Sequence, residues 1–322
     1  VKELLVLLNS ILPVLGIVGV GYGIRRVGWL TAASDGSLMR VTINLLTPCL
    51  IADTILGNAA FGRAQNVWIP PVLGFVTTAA GMLVGWWTRG AVGAKGEATR
   101  ERTYALSVGI CNYGYVPLPL AQVLFTTGTV GVLFVQNIGV ELAMWLIGLA
   151  VVSGRSWREG WRHLANPPAL AILGTLALNA LVPREAIPTS VLVGTRLLGQ
   201  CAIPLGLILI GATVADLLPE LRGEGGRQWR LVAVACAVRL GLVPAGILAL
   251  AWALPVSVEI RQVLLLHAAM PAAVFPIVMA RHFGGDAGTA LRVVLGTSLA
   301  SVVTMPLWLK LGMALLGVGG EP

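Results

Sequence analysis

Charge is what this chain has least of. Of its 322 residues only 11% are Asp, Glu, Lys or Arg, against 57% apolar, and the mean hydropathy is +0.86. Soluble domains carry about 25% charged and about 45–50% apolar residues, so the shortage excludes a water-soluble globular fold. Acidic groups are the scarcer kind, 14 against 22 basic, leaving a net charge of +8. No contiguous basic domain accompanies that excess, and its arginines sit in short loops. A nucleic-acid partner is therefore not expected. The four cysteines, Cys49, Cys111, Cys201 and Cys236, all fall inside apolar segments without CxxC spacing. That argues against disulfides and against a metal site. Histidine occurs three times, at His163, His267 and His282, and HExxH, GxGD and DDxxD motifs are missing. No serine has a histidine and an acid in register, so an intramembrane enzyme is not expected. The opening Val1-Lys2-Glu3 precedes an apolar run without a small-residue cleavage site; that run reads as a retained span.

What is present is long apolar runs. A bilayer-spanning helix needs about 20 such residues, whereas barrel strands alternate every second residue. Ten helical spans are expected, over residues 4–24, 38–56, 68–88, 103–125, 130–152, 168–182, 191–214, 231–254, 260–280 and 290–316. Tryptophans such as Trp29, Trp68, Trp87, Trp229 and Trp252 fall at or near span ends, as interfacial rings do. One set of alternate loops holds 15 Lys and Arg residues between Arg25 and Arg292, and the other set holds six. The rich side reads as cytoplasmic, which puts both termini of this multi-pass chain outside the cytoplasm, in a cell (inner or plasma) membrane.

Two spans carry breaks. The stretch from Leu264 to Phe283 contains Pro271 and Pro276, and Asn112-Tyr113-Gly114-Tyr115-Val116-Pro117-Leu118-Pro119 interrupts the fourth span. Proline removes an N–H and clashes with the carbonyl one turn back. In hydrocarbon an unpaired backbone group is tolerated only inside protein or beside water, so paired broken helices point to a solute site near mid-membrane. The two breaks are related. Arg102 precedes Pro117 by fifteen residues as Arg261 precedes Pro276, and Asn44 precedes Pro48 by four as Gln200 precedes Pro204. Five spans on each side of a short connector imply two halves facing opposite ways: residues 1–154, a connector over 155–164, and residues 165–322.

At these residues the chain resembles the auxin efflux carrier family, which includes plant auxin carriers and bacterial organic-anion permeases. Ala269-Met-Pro-Ala-Ala-Val-Phe-Pro-Ile-Val-Met-Ala-Arg281 is similar to the family's ninth span, and Asn112 to Leu120 to its fourth. Leu295-Gly-Thr-Ser-Leu299 with Met305-Pro306 resembles the tenth, and Pro204 to Gly211 the seventh. The resemblance implies an all-α membrane protein of ten helices in two inverted five-helix repeats. It also implies that helices four and nine break and cross, that transport proceeds by an elevator, and that the protein is a homodimer in the lipid bilayer.

Substrate contacts are expected from Asn112, Tyr113, Gly114, Tyr115, Pro117, Pro119, Pro271, Ala272 and Pro276, with freed N–H groups and half-helix N-termini seating an anion. Ionisable groups at depth are functional candidates by default. Glu141, Asp53 and His267 are accordingly candidates for ion or proton coupling, with a structural Glu141–Arg239 pair as the alternative for Glu141. No cofactor or metal is expected, beyond Na+ or H+ coupling or uniport driven by membrane potential. The function expected is carrier-type transport of a small organic anion, a mono- or dicarboxylate or an auxin-like acid. The alternative is a channel or receptor on the same fold.

Overall fold

The computed structural model describes residues 2–92, 96–153, 160, 163–221 and 227–319. Most of the connector expected over 155–164 lies outside them, as do Lys95 and Arg222. Among the described residues the chain is helical, with no strand beyond one isolated bridge. The helices are α1 (Lys2–Arg26), α2 (Ala32–Val41), α3 (Thr47–Ile55), α4 (Gln65–Thr88), α5 (Ala98–Gly109), α6 (Pro117–Leu124), α7 (Thr127–Ala143) and α8 (Leu149–Ser153). They continue with α9 (Pro167–Leu181), α10 (Thr189–Gln200), α11 (Ala202–Leu217), α12 (Arg227–Ala237), α13 (Val243–Ala253), α14 (Val258–Ala269), α15 (Phe275–Phe283) and α16 (Ala287–Leu316).

Three pairs run on through a widened π turn: α2 into α3 across Thr42–Leu46, α7 into α8 across Met144–Gly148, and α12 into α13 across Val238–Leu242. Among the described residues six helical runs are long and apolar enough to cross a bilayer: Ala32–Ile55, Gln65–Val92, Thr127–Val152, Thr189–Leu217, Gln228–Ala253 and Ala287–Leu316. The segments expected over 103–125 and 260–280 are each split in two, α5 with α6 and α14 with α15.

Not every proline breaks its helix. Pro13, Pro70, Pro71 and Pro306 lie inside α1, α4 and α16, which continue through them. Conversely Pro117 opens α6, and Pro276 sits in the first turn of α15. A first-turn N–H has no intrahelical partner to lose, so proline is welcome there. The expectation that Pro276 stands within the unwound stretch is thus corrected: it starts the next helix.

Contacts sort the helices into two groups. α1 lies along α11, and α3 packs on α9 and α10. α4 packs on α7 and α5, α14 on α7, α13 and α16, and α16 on α12 and α5. Close packing in the second group relies on glycine. The Gly74 backbone meets that of Gln136, and Gly139 lies against the backbone of Pro71 and Phe75. Small residues let membrane helices approach closely enough for dispersion to hold them. Elsewhere the exterior is apolar, with Trp29, Trp68, Trp87, Trp229 and Trp252 all at least 66% exposed.

Candidate functional site

The unwound residues 110–116 and 270–274 run past one another. Cys111 and Ala272 form an antiparallel bridge. Its two bonds are the Asn112 N–H to the Pro271 carbonyl (2.8 Å) and the Ala273 N–H to the Ile110 carbonyl (2.9 Å). These bonds exchange under a shift of 161 residues (112 to 273 and 110 to 271), so the local pairing obeys a two-fold relation. The prolines Pro117 and Pro276 are 159 apart, because the first break is two residues longer than the second.

Surrounding helices satisfy what the breaks leave open. The Thr297 hydroxyl of α16 accepts from the Ala272 N–H (3.2 Å) and donates to the Val293 carbonyl (2.7 Å). From the π turn Val238–Leu242, Arg239 reaches the end of α14. Its Nε donates to the Met270 carbonyl (3.0 Å) and an Nη to the His267 carbonyl (2.8 Å). Asn137 of α7 donates to the Tyr113 carbonyl (2.9 Å). A buried layer between α7 and α14 completes the surround. Gln136 Nε2 is 2.9 Å from His267 Nδ1, and two turns earlier on the same face of α7 Thr129 donates to Gln262.

Several expectations change here. Three of the freed N–H groups do not stand open to an anion, since those of Asn112, Ala272 and Ala273 all have protein acceptors. The half-helix N-termini offer few donors as well. Pro117, Pro119 and Pro276 have no N–H, Leu118 donates to the Gly114 carbonyl (3.1 Å), and Ile277 to the Val274 carbonyl (3.0 Å). The Asn112 side chain is half-buried and without a hydrogen-bond partner among the described residues. Tyr115 turns to α11, where Gly206 leaves room for its ring.

The alternative pairing of Glu141 with Arg239 is not found: Glu141 accepts from Asn166 Nδ2 (2.6 Å), the N-cap residue of α9. Asp53 lies in the last turn of α3, a helix whose main neighbours are α9 and α10. His267 is fully buried and held by Gln136. Gln136, Asn137, Thr297 and Arg239 were not among the expected substrate contacts. Their signal was polarity at depth in apolar spans, above all Arg239, which belongs to neither set of charged loops.

A cavity of about 500 Å³ lies apart from the crossing, lined by Glu97, Arg100, Gly285, Asp286, Ala287, Gly288 and Arg292. Its charges are largely committed. Arg100 pairs with Glu97 at 2.9 Å, and Asp286 caps α16 by accepting from the Thr289 N–H.

Comparison with known proteins agrees with the two-part construction. The model of a family described as membrane transport protein matches residues 6–159 and, a second time, residues 156–309. An uncharacterized transporter of Methanothermobacter thermautotrophicus is 26% identical over 305 residues, covering 93% of this chain and 96% of the relative.

Proposed function

The chain belongs to the membrane transport protein family, whose members are auxin efflux carrier-like, and from that premise we propose that it is a secondary transporter of a small organic anion. The observation that carries this reading is the antiparallel pairing of two broken helices through Cys111 and Ala272, with the Asn112 amide left open beside it. An amide can donate to a carboxylate, and Asn112 is the donor to which the anion binds. Ten spans are counted when α1, α9 and the two split helices join the six long runs. α5–α6 and α14–α15 then cross at mid-membrane as mates in two inverted repeats, residues 1–154 and 165–322.

Transport proceeds by an elevator. The support is the division of contacts, with α1, α2–α3, α9 and α10–α11 as the stationary part and the remaining helices as the part that carries the site. The carrier is a homodimer in the cell membrane with both termini outside. Outward movement of an anion from a negative-inside cell gains about 2.3 kcal/mol per charge per 100 mV, so efflux needs no coupled ion and no cofactor.

Counterflow of labelled malonate or indole-3-acetate in proteoliposomes tests the reading. Saturable exchange is expected; folded protein without saturable flux across a carboxylate panel refutes it, and unitary currents would replace the carrier with a channel. Asn112→Ala should weaken substrate binding about tenfold, the ~1.4 kcal/mol of one hydrogen bond to a charged group. An unchanged Kd removes Asn112 from the site.

A further inference from the structure

Among the described residues Arg239 is the largest fully buried side chain, 1% exposed, and it lies at the crossing. Two of its nitrogens hold the carbonyls of His267 and Met270, and its guanidinium borders the Cys111 side chain. Met270 precedes Pro271, whose carbonyl receives the Asn112 N–H, so Arg239's partner is next in the chain to the residue bonded to Asn112. No carboxylate lies within ion-pair distance of it among the described residues. Glu141, the acid expected as its mate, is taken by Asn166. Other arginines that touch carboxylates, such as Arg25, Arg63, Arg89 and Arg100, do so at more accessible places or with two acids.

A guanidinium does not lose its proton in a protein. Buried without a counter-charge it is costly, and two neutral carbonyls relieve only part of that cost. Capping the end of α14 does not require an arginine. In the first repeat the corresponding end of α5 is approached by a glycine: a Cβ on Gly81 would lie 3.0 Å from the Gly109 carbonyl oxygen. The fold therefore tolerates an uncharged neighbour at that place in one half and carries a fixed cation in the other.

We propose that Arg239 is the positioned positive charge that compensates the bound anion at the crossing and so sets the selectivity for acids over neutral molecules. It acts through space from behind the unwound backbone, while Asn112 makes the contact. The proposal rests on the transport reading above and deepens it. It also accounts for how an anion is held where the N–H groups of Asn112, Ala272 and Ala273 are already occupied. The neighbouring Gln136, Asn137 and His267, each with one unpartnered polar atom, suit a bound water better than a coupling cation, because Arg239 would repel the latter.

The test compares an acid with its uncharged amide: indole-3-acetate against indole-3-acetamide, and malonate against malonamide, by equilibrium binding to purified protein. In Arg239→Gln the acid-over-amide affinity ratio should fall about thirtyfold, the effect of one unit charge across several ångströms of protein. Arg239→Lys should keep most of the ratio. A structural role would lower both affinities together and leave the ratio in place, which overturns the assignment. If Arg239→Gln does not fold, Arg239→Met, uncharged and of similar length, takes its place and should lower the ratio to the same extent. A ratio that survives Arg239→Met refutes the proposal. Wild-type protein that binds neither acid nor amide refutes the transport reading itself, an outcome distinct from acid binding that ignores Arg239.

Discussion

At the scale of single residues, the crossing is held less by its own backbone than by side chains sent in from neighbours. Thr297, Arg239 and Asn137 each end on a backbone group that a continuous helix would have satisfied internally. Such a group, buried and deprived of its partner, costs about 1–3 kcal/mol. Thr297→Val keeps the shape and removes the acceptor of the Ala272 N–H. It should lower stability by about that amount in thermal unfolding in detergent, and Thr297→Ser should restore most of the loss. Equal stability of the two variants would show that the Ala272 N–H finds another acceptor. Asn112 and the break at Pro271 were legible from residue type and position alone. Thr297 was legible only as a polar group of unassigned partner, since threonine in a membrane helix most often bonds its own preceding turn, as it also does here to Val293.

At the scale of elements, the instructive residues are the prolines. Pro70, Pro71 and Pro306 carry the same local penalty as Pro271, yet α4 and α16 run through them. Only at 110–116 and 270–274 does another unwound segment stand ready to accept the freed bonds. Whether a proline ends a membrane helix is thus decided by its surroundings. The α4–α7 contact makes a sharper claim. An added Cβ at Gly139 would stand 2.6 Å from the Pro71 carbonyl carbon and 2.7 Å from the Phe75 nitrogen, both backbone. Gly139→Ala must push the helices apart and should destabilise by about 1–3 kcal/mol. Gly16→Ala, facing open space on α1, should be neutral or stabilise by up to about 1 kcal/mol. Thermal unfolding of the two variants side by side checks the contrast.

At the scale of the whole molecule, motion of one helix group against the other is the testable content of the elevator. Tyr115 packs into the space left by Gly206, joining the break of the first half to α11. In a background lacking the four native cysteines, oxidation of Tyr115→Cys paired with Gly206→Cys should arrest flux, and reduction should restore it. Flux that persists with the cross-link complete would mean that α11 and the crossing do not move apart during transport.

Sequence alone determined that the chain is a helical membrane protein, that the segments over 103–125 and 260–280 break, and that the halves repeat. Those properties follow from composition, run length and proline spacing, which are local or periodic and need no knowledge of neighbours. Tertiary structure decided which polar groups of the breaks remain available. Three backbone donors that looked free, those of Asn112, Ala272 and Ala273, are consumed by the opposite segment and by Thr297, Pro117 and Pro276 begin helices instead of interrupting them, and Arg239 meets two carbonyls where an acid was expected. A hydrogen bond between residues 31, 159 or 163 positions apart leaves no periodic trace in a single sequence, because it is fixed by how the helices pack and not by what precedes or follows each residue in the chain.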